Sequence, residues 1–115
     1  MIKKNGSYPV VTKDNAYGGE GVLSIEEFLT PAEMNEKGRL FGKITLAKGD
    51  SIGKHLHDGE MEAYYILKGE GEYLDNGESI RVFPGDTTVT MSGGQHGIKS
   101  VGNEPLEFIA LILNN

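Results

Sequence analysis

A chain of 115 residues carrying 11 lysines and arginines against 17 aspartates and glutamates, net charge −6, reads as one acidic domain without the clustered basic residues that nucleic-acid binding requires. It has no cysteine, so disulfide frameworks, thiolate zinc sites and thiol nucleophiles are excluded, and any metal must be held by histidine and carboxylate. The longest apolar run, Phe108 to Leu113, is far shorter than the ~20 residues of a bilayer span, and Met1-Ile2-Lys3-Lys4-Asn5 leads into no signal-peptide core, so the expected location is cytoplasmic.

Seventeen glycines and four prolines recur at short intervals, the spacing of many short strands joined by turns. A short strand is expected around Tyr8 to Thr12, a turn at Tyr17-Gly18-Gly19-Glu20-Gly21, and a strand from Val22 to Leu29. Thr30-Pro31-Ala32-Glu33 combines an N-cap threonine, proline at the first helical position and glutamate three residues after the cap. It predicts at most a short helix near residues 31–37, because Gly38 follows so soon. Arg39 to Leu46, Ser51 to His57 and Glu60 to Leu67 read as strands, the first closed by Lys48-Gly49-Asp50. Asn76-Gly77 suits a type I′ turn and predicts a hairpin over residues 70–83. After Pro84-Gly85-Asp86 come strands at Thr87 to Met91, Gln95 to Val101 and Leu106 to Leu113. Such a set of short strands must close on itself to protect its edges, as a sandwich, jelly roll or small barrel. Ala63 to Leu67 and Leu106 to Leu113 are apolar on both faces, which predicts cover by a partner subunit, a homodimer.

The chemistry concentrates in the three histidines, His55, His57 and His96. At i and i+2 on a strand, His55 and His57 point to one face about 7 Å apart at Cα, a bite suited to one metal ion. Beyond the turn at Asp58-Gly59, Glu62 can return a carboxylate to the same place, and His96 adds a third imidazole from a later strand. Three imidazoles and a carboxylate fit divalent manganese, iron, nickel, cobalt or zinc and leave coordination positions open for chemistry. Taken alone, His-x-His is also common on exposed strands. Tyr64 shares Glu62's side of the strand and is a candidate catalytic hydrogen-bond donor or general acid; the competing reading is a core aromatic. Gln95, Lys43 and Arg39 are weaker candidates, and Glu60 competes with Glu62 as ligand.

Residues Gly49 to Gly69 read G-x5-H-x-H-x4-E-x6-G through Gly49, His55, His57, Glu62 and Gly69, and this resembles the first motif of the cupin superfamily. The second motif, G-x5-P-x-G-x2-H-x3-N, is matched at Gly85, Gly93 and His96, with Met91 in place of its proline and Ser100 in place of its asparagine. The resemblance spans roughly residues 38–113. It implies an all-β double-stranded β-helix, the jelly-roll barrel of cupins: residues 38–115 form the barrel, and residues 1–37 supply strands and a short helix packed on it, within a single domain. It also implies a metal held by His55, His57, Glu62 and His96, manganese or iron first, with zinc, nickel or cobalt as alternatives. More closely, Ser51-Ile52-Gly53-Lys54-His55 with Glu62 to Leu67 and Leu106 to Leu113 resembles small single-domain bacterial cupins described as oxalate decarboxylase-like or mannose-6-phosphate isomerase-like.

Bicupin oxalate decarboxylases use the same four ligand types, but they carry an arginine three residues before the first motif histidine, where this chain has Ile52. Phosphomannose isomerases are longer, zinc-dependent and richer in basic groups. The expected function is therefore a divalent-metal-binding cupin, an enzyme acting on a small carboxylate, keto or sugar-like substrate. The alternative is a non-catalytic module that binds an anionic or chelating ligand for sensing or sequestration. A third reading makes the histidines structural. No nucleic-acid or membrane partner is expected.

Overall fold

Strand β10 (Leu106–Asn114) shows how this sequence becomes a barrel. Leu106, Phe108, Ala110 and Ile112 are buried while the residues between them are not, which is the period-two signature of a strand with one face on a core. A computed structural model describes all 115 residues. Its other strands are β1 (Val10–Asp14), β2 (Val22–Glu27), β3 (Gly38–Leu46), β4 (Ser51–Leu56), β5 (Glu60–Lys68), β6 (Gly71–Asp75), β7 (Glu78–Val82), β8 (Thr87–Thr90) and β9 (Gln95–Ser100). They pair antiparallel in two sheets, β1-β2-β3-β10-β5-β8 and β4-β9-β6-β7, the double-stranded β-helix expected. No helix is long and apolar enough to cross a membrane.

The core lies between the sheets. Ile44, Leu46, Tyr64, Ile66 and Phe108 reach in from the larger sheet, and Ile52, Tyr73 and Ile98 from the smaller. The β6–β7 hairpin turns on Asn76 at φ +49° and Gly77 at φ +90°, the two positive values a type I′ turn needs.

Residues 31–37 stay within the limit of at most a short helix. The capping box closes, with Thr30 N–H donating to Glu33 Oε1 (2.9 Å) and Glu33 N–H to Thr30 Oγ1 (3.2 Å). Yet the segment is a hydrogen-bonded turn, because Asn35 and Glu36 are left-handed at φ +54° and +58° and feed the chain into β3. The one helical element is instead a 3-10 turn at Ala16–Gly18, overlapping the turn expected at Tyr17 to Gly21.

Candidate metal centre

β4 and β9 are neighbours in the smaller sheet, with His55 opposite His96 in register. Glu62 faces them from β5 in the larger sheet. His57 lies just past the end of β4, yet it keeps the strand's alternation. Its N–H donates to the Gly94 carbonyl (3.0 Å) and its carbonyl accepts from Gly93 N–H (2.7 Å), so the loop before β9 holds it in extended pairing. The four side chains offer ligand atoms that all lie within 4.8 Å of one another.

Each imidazole is oriented through its Nδ1. His55 Nδ1–H donates to the Gly53 carbonyl at 2.8 Å, and His57 Nδ1–H to Glu60 Oε1 at 2.8 Å. A carbonyl or a carboxylate can only accept, so both rings carry a proton on Nδ1 and turn Nε2 to the centre. His96 Nδ1 pairs with the Tyr73 hydroxyl at 2.8 Å, which in turn meets Thr90 Oγ1 at 2.8 Å. His57 Nε2, His96 Nε2 and Glu62 Oε1 form a triangle 2.9 Å on each side. At this spacing a proton on Nε2 joins the atoms as hydrogen bonds, and loss of that proton turns three lone pairs to one buried point, the donor set a divalent cation takes. The residues present therefore fit a divalent metal.

The electrostatics agree. Burial is the main cause lowering the His55 pKa, with the neighbouring His96 and His57 adding to it, so His55 stays neutral and able to ligate. Arg39 grips Glu60 with two hydrogen bonds, Nε–H to Oε2 at 2.6 Å and an Nη2 proton to Oε1 at 2.8 Å. That pairing, with the His57 hydrogen bond, pulls the Glu60 carboxyl down to about 2. Glu60 is thus the outer partner of His57, and Glu62 is the carboxylate that converges.

Tyr64 is fully buried, stacked at 5.1 Å on His96 and tilted against Phe108 at 4.4 Å. Burial first, and then the Glu62 charge, raise its hydroxyl well above the ordinary tyrosine value, so it remains a neutral phenol that can donate. It lines a cavity of about 60 Å³ together with Ile52, His55, His57, Glu62 and Arg39. The other candidates lie elsewhere: Gln95 is exposed, and Lys43 pairs with Glu107 (3.3 Å) and Glu26 (3.9 Å) on the outer face of β3.

Sequence reasoning missed two aromatics. Tyr73 was findable, since alternation along the expected hairpin points it inward with Gly71. Tyr17, stacked on His55, sits in a glycine-rich turn with no local signal.

A family model described as "Cupin domain" matches residues 42–112. The chain belongs to the cupin family. The oxalate-binding protein of Thermotoga maritima is 43% identical over 113 residues, 98% of this cupin and 93% of that protein. A crystal structure described as a predicted oxalate decarboxylase from Thermotoga maritima superimposes with a TM-score of 0.96 at 38% identity, covering 100% of both chains. The polyketide cyclase RemF of Streptomyces resistomycificus has a TM-score of 0.75 over 99% of this chain and 80% of its own, at 14% identity, a likeness of fold alone. In this cupin the motif positions His55, His57, Glu62 and His96 are the ones that converge, and Ile52 puts an apolar side chain on the cavity wall.

Proposed function

We propose that this cupin holds one divalent ion, manganese or iron, through His55, His57, Glu62 and His96 and is an enzyme acting on a small anionic oxygen ligand. The observation that carries this reading is the triangle of His57 Nε2, His96 Nε2 and Glu62 Oε1 at 2.9 Å. Three imidazoles and one carboxylate suit manganese or iron first, with zinc, nickel or cobalt as alternatives, and on a six-coordinate ion four protein ligands would leave two positions for a chelating molecule. When bound, the ion supplies Lewis acidity to an oxygen ligand.

The rest is done by the chain. One carboxylate offsets only half the charge of a divalent ion, so the loaded site would be net positive and favour a carboxylate or keto acid over a neutral ligand. The hydrogen bonds at Nδ1 hold the rings in place before any ligand arrives. Tyr64 supplies a neutral phenol donor at the cavity wall. A binding module without turnover is the second reading. It is favoured by Ile52, which stands where bicupin decarboxylases place an arginine, and by a relative named for binding oxalate. We further propose a homodimer.

Elemental analysis of protein purified without chelator or affinity tag tests the site. Near one manganese or iron per chain, lost in His57→Ala, is the expected result; no metal, and no uptake on reconstitution, overturns it. Incubation of the loaded protein with oxalate and keto acids then separates the two readings. Product formation that vanishes in a folded Glu62→Gln variant supports the enzyme, and tight binding with no product over hours supports the module.

A further inference from the structure

One wall of the cavity is not built by barrel strands. Ala16 and Tyr17 enter it from the 3-10 turn between β1 and β2, and Lys13 from β1. The Tyr17 ring lies flat on His55, centroids 3.9 Å apart and planes 11° from parallel. Arg39 of β3 and Tyr64 of β5 line the same cavity as the Tyr17 ring. Tyr17 is 58% exposed, so burial of the ring does not hold it there.

The backbone holds it. Tyr17 sits at φ +52°, ψ +37°, in the left-handed region, and Asn15 before it is left-handed too at φ +49°. A bulky residue takes this conformation at a cost, and keeps it only where the surroundings impose it. Here Asn15 N–H donates to the Gly21 carbonyl (2.8 Å), Gly19 N–H to the Ala16 carbonyl (2.9 Å) and Ser51 N–H to the Glu20 carbonyl (2.9 Å), which fastens the turn to itself and to β4. Gly53 of β4 lies directly beneath; a Cβ there would stand 2.0 Å from the Tyr17 carbonyl oxygen. The roofed space is about 60 Å³, where one water's share of liquid volume is about 30 Å³.

We propose that Tyr17 is a specificity-determining residue, a roof fixed by the strained turn that limits ligands of the metal centre to two- or three-carbon acids. A longer diacid must lift the ring off His55 and disturb a turn clamped to β4. The inference rests on the proposed reading of the site as an anion-binding metal centre.

The test is calorimetric titration of manganese-loaded protein with oxalate, malonate and succinate, metal content being checked first. Wild type should bind oxalate about tenfold or more tighter than succinate, as steric exclusion of added methylenes predicts. Tyr17→Gly and Tyr17→Asn both suit a left-handed backbone and remove the ring, and in them the ratio should fall by at least about threefold, toward the ion's own preference for the smaller chelate ring of oxalate. Tyr17→Phe should keep the wild-type ratio. Unchanged discrimination in the glycine and asparagine variants overturns the roof, as does its loss in Tyr17→Phe, which would assign the effect to the hydroxyl. Wild type that binds all three acids alike overturns the roof alone. Wild type that carries metal and binds none of them overturns the anion-binding reading and this inference with it.

Discussion

His57 meets the centre through Nε2 because Glu60 accepts a hydrogen bond from its Nδ1–H, and Arg39 reaches across from β3 to hold that carboxylate. Such outer partners fix the ring and raise its basicity as a ligand. Glu60→Gln, which keeps the size and loses the charge, should therefore weaken manganese binding about 10–100-fold. Arg39→Ala, acting one step further out, should weaken it less, and calorimetric titration of the stripped protein with manganese measures both. Equal affinity in all three proteins would show that His57 needs no outer partner. The convergence of these four side chains was legible, because four metal-binding residues at fixed spacing leave few other reasons for the pattern. The division of labour between Glu60 and Glu62 was not. Both stand on one side of one strand, and what separates them is an arginine 21 residues away from Glu60 in sequence. Pairing across strands of that kind has no local signature.

At the scale of elements, the turn at Ala16–Gly18 and β4 approach as closely as two backbones can, and glycines on both sides permit it. A Cβ at Gly19 would stand 2.2 Å from the Ser51 carbonyl oxygen, and one at Gly53 would overlap Tyr17. Gly53→Ala must push the turn off β4; overpacking of this kind costs about 1–3 kcal/mol, read as a lower midpoint in denaturant unfolding. Unchanged stability would mean that the turn yields freely, and Tyr17 with it. The Thr30–Glu33 box makes the opposite point. Its signal was legible and both hydrogen bonds form, but a capping box marks only where a helix begins. Isolated helices shorter than about 12–15 residues are marginal, and the start of β3 at Gly38 leaves no such length, so the chain closes one turn and leaves it through Asn35 and Glu36. The hairpin at Asn76-Gly77 was legible for the reverse reason: a two-residue loop is decided by the backbone preferences of those two residues alone.

For the whole molecule, the two faces of the larger sheet differ in what covers them. Its inner face packs on the smaller sheet, while the outer face of its β10-β5-β8 portion carries Ala63, Tyr65, Leu67, Val89, Ile109 and Leu111. Cross-strand pairing sets Ile109 opposite Tyr65, Leu111 opposite Ala63, and Ala63 opposite Val89, so these side chains form one continuous apolar strip. Tyr65 is 46% and Val89 51% exposed. Contiguous apolar surface of this kind is the mark of a contact face, and a second copy burying the same strip is the simplest closed solution, a two-fold dimer. Light scattering at micromolar concentration should return twice the 12.5 kDa of one chain. Ile109→Lys places a charge in the middle of the strip, and an unpaired buried charge is strongly disfavoured at an interface, so this variant should run as a monomer. Ile109 points away from the core that Phe108 and Ala110 fill, so the variant should still take up metal as wild type does. A wild-type mass of one chain would exclude the dimer; a dimeric Ile109→Lys would move the interface to another face of the barrel.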